Sequence, residues 1–117
     1  MLGGSRLEDD EIIKLACEEF EGQRFCVVRN WMILDVLMPA AQESEVRKQG
    51  LRPSVLFFQQ AVFDSEGRIS AGDRFVSGYK KDFYGCFFES KEMLYILAGR
   101  GSRKHASLPA VQSLKAY

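Results

Sequence analysis

The clearest pattern in the chain lies at residues 84–99. Two short apolar runs, 86–88 and 93–98, flank a polar corner at Glu89, Ser90, Lys91 and Glu92. Both runs carry aromatic or branched side chains, and Gly85 and Gly99 punctuate the ends. That predicts a β-hairpin with a loop longer than the tightest two-residue type. The second run is apolar at successive positions, so both faces of that strand need cover.

Upstream, the period changes. Ile12, Ile13, Ala16, Cys17 and Phe20 fall on one helical stripe, with Lys14, Glu18 and Glu19 largely off it. This amphipathic helix starts near Ser5 or Asp9 and ends by Gly22. Ser5 and Glu8 have capping-box spacing, and Asp9, Asp10 and Glu11 suit the positive end of a helix. Its expected cover is the chain's own sheet. Residues 24–28 and 31–37 read as strands divided by Arg29 and Asn30, or as one long bent strand. Pro39 opens a second short helix over 40–49, with Gly50 as its stop and Glu43 and Arg47 paired on it. Residues 55–63 form the next strand, in which Gln59 and Gln60 mark an edge or a bulge. Asp64, Ser65, Glu66 and Gly67 spell a turn. A strand over 69–77 follows, with a further turn available at Ala71, Gly72 and Asp73. After the hairpin, 99–105 reads as a flexible basic loop, and 108–114 as a last edge strand with Pro109 at its start. The sum is one α+β domain over residues 1–117. It has a strongly bent antiparallel sheet or small open β-barrel, an N-terminal amphipathic helix and a second short helix.

Composition fits this reading. A chain of 117 residues can bury roughly two thirds of its unfolded surface, enough for one core without staples. Nine Phe point to a core built on rings. The formal net charge is zero, which argues against global attraction to nucleic acid or an anionic membrane. The charge is unevenly placed, however. Residues 1–23 carry seven acids against Arg6 and Lys14, whereas 99–117 carry Arg100, Arg103, Lys104 and Lys115 and no acid. Three widely spaced cysteines, at 17, 26 and 86, do not form a secreted disulfide framework or a zinc knuckle, and buried, reduced thiols in the cytoplasm are expected. No signal peptide is expected from the acidic opening of the sequence, and the longest apolar run, 31–41, is interrupted by Asp35 and too short to span a bilayer.

The stretch from about Pro53 to Lys104 carries an ordered set of short signatures. They are Val62, Phe63, Asp64 and Ser65 with Gly67 and Arg68; Gly72 with Asp73; Cys86, Phe87 and Phe88 with Tyr95, Ile96 and Leu97; and Gly99, Gly101, Arg103 and Lys104. This set resembles a family of small uncharacterised bacterial proteins, chiefly of pseudomonads, built on a domain of unknown function. Family members usually have Thr and Asn in the hairpin corner, where this chain has Ser90 and Glu92. After the Gly-Asp strand they tend to have Thr-Ser, where this chain has Ser77 and Gly78. The resemblance implies a fold and a bacterial, cytosolic setting, and no activity.

Candidate chemistry is sparse. His105 is the only histidine, and its neighbours Arg103, Lys104 and Ser107 are not metal ligands. A Cys86–His105 nucleophile pair requires a reactive thiol, whereas Cys86 sits in an apolar strand. The glycines at 99 and 101 lack the Gly-Lys-Ser/Thr ending of a phosphate loop. The paired acids Asp9, Asp10 and Glu18, Glu19 lie on a helix surface. The binding residues to test are Arg100, Arg103, Lys104 and His105 with Tyr95, a cationic tract beside an aromatic ring. The expected role is a non-enzymatic protein acting by protein–protein interaction, of an accessory, immunity-like or defence-related kind. It needs no cofactor or metal and has no membrane association, and a homodimer is compatible with it. The alternative is a small-barrel nucleic-acid binder using 100–105.

Overall fold

A computed structural model of the chain describes residues 2–3, 7–69 and 75–115. Ser5, the expected cap, and the turn at Ala71, Gly72 and Asp73 lie outside the described residues. The element order is β1 (Leu2–Gly3), α1 (Asp9–Glu19), β2 (Phe25–Leu37), α2 (Ala40–Lys48), β3 (Ser54–Asp64), β4 (Phe75–Val76), β5 (Lys80–Tyr84), β6 (Phe87–Ser90), β7 (Leu94–Leu97), β8 (Arg100–Ser107) and α3 (Leu108–Lys115). This is an α+β fold with an N-terminal amphipathic helix, a second short helix and an open, strongly bent sheet.

The sheet is organised around β2. β3 runs antiparallel along one edge of it from Asp64 to Ser54, with β4 beyond. On the other edge β7 and β8 lie end to end, both parallel to β2. Phe25 pairs with Leu94 and Val28 with Leu97; Met32 then pairs with Ser102 and Leu37 with Ser107. The pairing is therefore mixed, and β5, β6 and β7 form the antiparallel ribbon that contains the expected hairpin. Its corner is closed by Ser90, whose backbone N–H donates to the Met93 carbonyl at 2.9 Å.

Ring contacts measure the bend. Phe75 on β4 and Tyr95 on β7 lie three strand spacings apart, roughly 14 Å in a flat sheet. Their ring centroids are 6.5 Å apart. Phe58 and Phe88 also contact Tyr95, at 5.7 and 6.3 Å. The concave face therefore closes on a core of rings and branched chains that includes Val28, Trp31, Ile33, Leu56 and Leu97. The convex face has two further clusters. Ile12 and Ala16 of α1 cover Phe25, Val27, Leu94 and Ile96. Val111 of α3 covers Leu34, Val36, Val55 and Phe57. All four residues of β7 are buried, as its two-sided apolar pattern requires.

Strand β2 stays whole because of one residue. Asn30 adopts φ 52°, a conformation that Asn tolerates better than most side chains. Val28 and Trp31, three apart, consequently share the concave face. Opposite them, Gln59 and Gln60 face solvent, and the Asn30 side-chain amide donates to Gln60 Oε1 at 3.3 Å.

Of the strand expected over 69–77, only Phe75–Val76 is a strand among the described residues. Two further segments differ from expectation. Residues 100–107 form a strand, not a flexible loop, and along 102–107 no strand among the described residues pairs with its outer edge. Cations on an exposed edge oppose pairing with another chain, which accounts for the basic tract as strand chemistry. Residues 108–115 form a helix instead of an edge strand. Ser107 Oγ accepts from the Ala110 backbone N–H at 3.3 Å as its N-cap. Pro109 lies in the first turn, where its missing N–H costs nothing.

Candidate functional site

The concave face ends in a polar mouth. Asp35 of β2, Ser54 of β3 and Arg103 of β8 share that face by register, because Asp35 pairs with Ser54 on one side and with His105 on the other. Arg103 donates to both Asp35 oxygens, Nε to Oδ2 at 2.7 Å and Nη2 to Oδ1 at 2.9 Å. The Ser54 hydroxyl donates to Oδ1 at 2.6 Å. The Arg103 guanidinium holds the Asp35 carboxyl below the usual aspartate range, against the pull of burial, and Ser54 adds to the effect. Around this pair opens a cavity of about 420 Å³, also lined by Glu43, Arg47, Arg52, Lys80 and His105. Burial, then the Arg103 charge, brings the Lys80 ammonium below its ordinary range.

Of the expected binding residues, Arg103 and His105 line this mouth. Lys104, one position off in a strand, belongs to the opposite face. Arg100 lies at the far end of β8, paired with Gly3. Tyr95 does not share a surface with these cations. It is 2% exposed, packed in the concave core, and lines a separate cavity with Arg24 and Met93. A ring at the centre of a two-sided strand is needed for packing, so the expected tract of cations beside an aromatic platform is not assembled. Asp35, Arg52 and Lys80 also belong to the mouth, and the sequence neighbourhoods of Arg52 and Lys80 gave no sign of it. The one available signal was Asp35, a lone carboxylate in an apolar run.

A second surface is apolar. α1 and the β6 ribbon flank a groove of about 460 Å³ floored by Ile12, Ala16, Phe87 and Ile96. Leu15 and Tyr84 stand at its sides, 48% and 50% exposed. Cys86 also lines it, and burial raises its thiol pKa above the ordinary value, the opposite of what a nucleophile needs. Its backbone carbonyl accepts from the Leu97 N–H at 2.8 Å. His105 lies eight residues beyond Leu97 along β7 and β8, on the order of 25 Å away at the usual strand rise. The two are therefore not partners. Among the described residues no cluster of three or more His, Cys, Asp or Glu converges on a metal position, and no helix is long and apolar enough to cross a membrane.

Comparison by sequence settles the family. The description "Domain of unknown function (DUF6957)" matches residues 3–113. The chain belongs to the DUF6957 family. No curated protein and no solved structure matches it. In this DUF6957 domain the signatures between Pro53 and Lys104 build the scaffold, apart from Gly72 and Asp73, which lie outside the described residues. The buried Asp64 carboxylate accepts from the backbone N–H groups of Glu66, Arg68 and Ile69 at 3.2, 2.9 and 2.9 Å. Ser65 Oγ accepts from the Phe25 N–H at 2.9 Å, tying the turn to the start of β2. The Ser77 hydroxyl accepts from the Leu56 N–H at 2.8 Å and donates to the Gly78 carbonyl at 2.7 Å.

Proposed function

We propose that this DUF6957 chain is a non-enzymatic bacterial protein of the cytosol that works by occupying a partner protein, in an accessory, immunity-like or defence-related role. Its docking face is the groove between α1 and the β6 ribbon. The single observation that carries this reading is Leu15 and Tyr84, about half exposed on either side of an apolar trough. Large apolar side chains grouped at a concavity are the usual mark of a contact surface.

Charge specifies the partner. Residues 1–23 carry a net charge of −5, and Glu19 lines the groove itself. A second copy would bring one acidic rim against another, so a homodimer through this face is disfavoured. The fitting partner segment presents apolar anchors flanked by Lys and Arg. The reduced, partly buried thiols are in keeping with a cytosolic setting. The nucleic-acid reading has less support, because Arg100 and Lys104 point away from Arg103 and Tyr95 is core.

The test is capture from native bacterial cells with three baits: wild type, Leu15→Arg and Arg103→Gln. One stoichiometric protein should come down with wild type and with Arg103→Gln, and be lost with Leu15→Arg. Equal capture by all three, or no partner under gentle conditions, overturns the proposal.

A further inference from the structure

We propose that the polar mouth of the bent sheet is a binding site for a phosphomonoester on a small organic molecule, held by Arg52 and Lys80. The site is independent of the α1 groove, which lies on the convex face with Cys86.

The argument begins with charge. Arg47, Arg52, Lys80 and Arg103 line the cavity against Asp35 and Glu43, an excess of two positive charges leaving His105 aside. Both carboxylates are already engaged. Asp35 takes the Arg103 fork and the Ser54 hydroxyl. Glu43 lies 3.6 Å from Arg47. Among the described residues no carboxylate comes within ion-pair distance of Arg52 or Lys80.

These two cations are also held side by side. Arg52 and Lys80 form an antiparallel bridge, in which the Arg52 N–H donates to the Lys80 carbonyl at 2.7 Å. Like charges placed directly across a bridge repel and lower stability. The burial that disfavours the Lys80 ammonium compounds this. A chain that spends stability on two unpaired, converging cations in a concavity has the arrangement an anion would relieve.

The ligand class follows from charge and size. A phosphomonoester carries about −1.5 to −2 at neutral pH, which matches the excess. The Arg52 fork suits two phosphoryl oxygens, and Lys80 supplies a point charge. At about 420 Å³ the cavity is far larger than a lone phosphate, and Val36, Leu37 and Pro53 line it for an organic group. Asp35 does not bar the anion. Its charge is neutralised by Arg103, which it orients.

The experiment is an NMR titration of the ¹⁵N-labelled chain with phenyl phosphate, inorganic phosphate and benzoate, with thermal unfolding in parallel. Phenyl phosphate should give saturable shifts at the amides of Arg52, Ser54, Lys80 and Arg103, and benzoate should give weaker ones. Arg52→Gln and Lys80→Gln should each raise the phenyl phosphate Kd by about tenfold or more, the loss of one charge-assisted contact. Each variant should also unfold no earlier than wild type without ligand, because a repulsion is removed. The double variant Arg100→Gln/Lys104→Gln removes two positive charges where each single variant removes one, but both lie outside the mouth, and it should bind as wild type does. Inorganic phosphate binding as tightly as phenyl phosphate would support the cation pair while overturning the organic part of the proposal. Absence of saturation by phenyl phosphate at concentrations up to ~20 mM, beyond ordinary weak binding, overturns the whole. So does equal loss in the Arg100/Lys104 control. The wild-type shift map decides the matter even if a variant fails to fold.

Discussion

A methyl group on Gly101 would run into the indole ring of Trp31, and one on Gly99 would meet Arg29 Nη1 at 2.7 Å. Trp31 cannot retreat. It is 2% exposed, and its Nε1–H donates to the Ala98 carbonyl at 3.2 Å. Gly101→Ala is therefore expected to lower stability by about 1–3 kcal/mol, the usual penalty for overpacking a filled core. Gly78→Ala is the control, because its added carbon would meet only the Ser90 Cβ at an ordinary 3.9 Å. Urea unfolding monitored by Trp fluorescence reads both, and equal midpoints would contradict the close-packing account. Glycines near cations read as a loop in the sequence because glycine usually marks backbone freedom. Here Gly101 serves close approach, a use that shows only when the strand beneath it is in place.

At the scale of elements, the Asp64 turn was legible and the final helix was not. Asp, Ser, Glu and Gly in succession are local turn chemistry, and the observed turn uses them locally: Gly67 takes φ 68° and its N–H donates to the Asp64 carbonyl at 3.0 Å. The last helix depends on Ser107 acting as a cap, and a Pro near a strand start looks the same in sequence as a Pro in a first helical turn. What separates them is the stripe of Leu108, Val111 and Leu114, which packs on the convex face of the sheet. Asp64 also carries a pH dependence. Burial raises its pKa, but the N–H groups of Ile69, Glu66 and Arg68, with Arg24 nearby, outweigh that and leave it below the ordinary value. A carboxylate with a depressed folded pKa contributes stability above its unfolded value, near pH 4, and loses it as pH falls through the folded value. Asp64→Asn should thus cost about 1–3 kcal/mol at neutral pH, because one amide oxygen cannot serve three partly buried backbone donors. The gap to wild type should narrow on acidification. A difference that stays constant between neutral and acid pH would show that shape, not charge, holds the turn.

Across the whole molecule, the three cysteines are not uniformly buried as expected but sample three depths: Cys17 exposed on α1, Cys86 half-buried in the groove, and Cys26 fully buried on the central strand. Burial and the Asp64 charge push the Cys26 thiol up to about 12, partly offset by Arg24. Cys26 sits where β2 meets both β3 and β7, opposite Asp64 on one side and Tyr95 on the other. A reagent cannot reach it by fraying of one edge. Both neighbouring strands flank it, and the concave core packs over it. With a thiol-specific reagent in mildly alkaline buffer, Cys17 should react first, Cys86 more slowly, and Cys26 last. For a domain with stability near 5–10 kcal/mol, the Cys26 protection factor should be about 10⁴–10⁷. Its labelling free energy should fall with urea at the slope of global unfolding, because only the open state exposes it. A shallow urea dependence at Cys26 would mean that β7 and β8 detach from β2 as a unit. The parallel seam between them would then be a local hinge in the fold, not its centre.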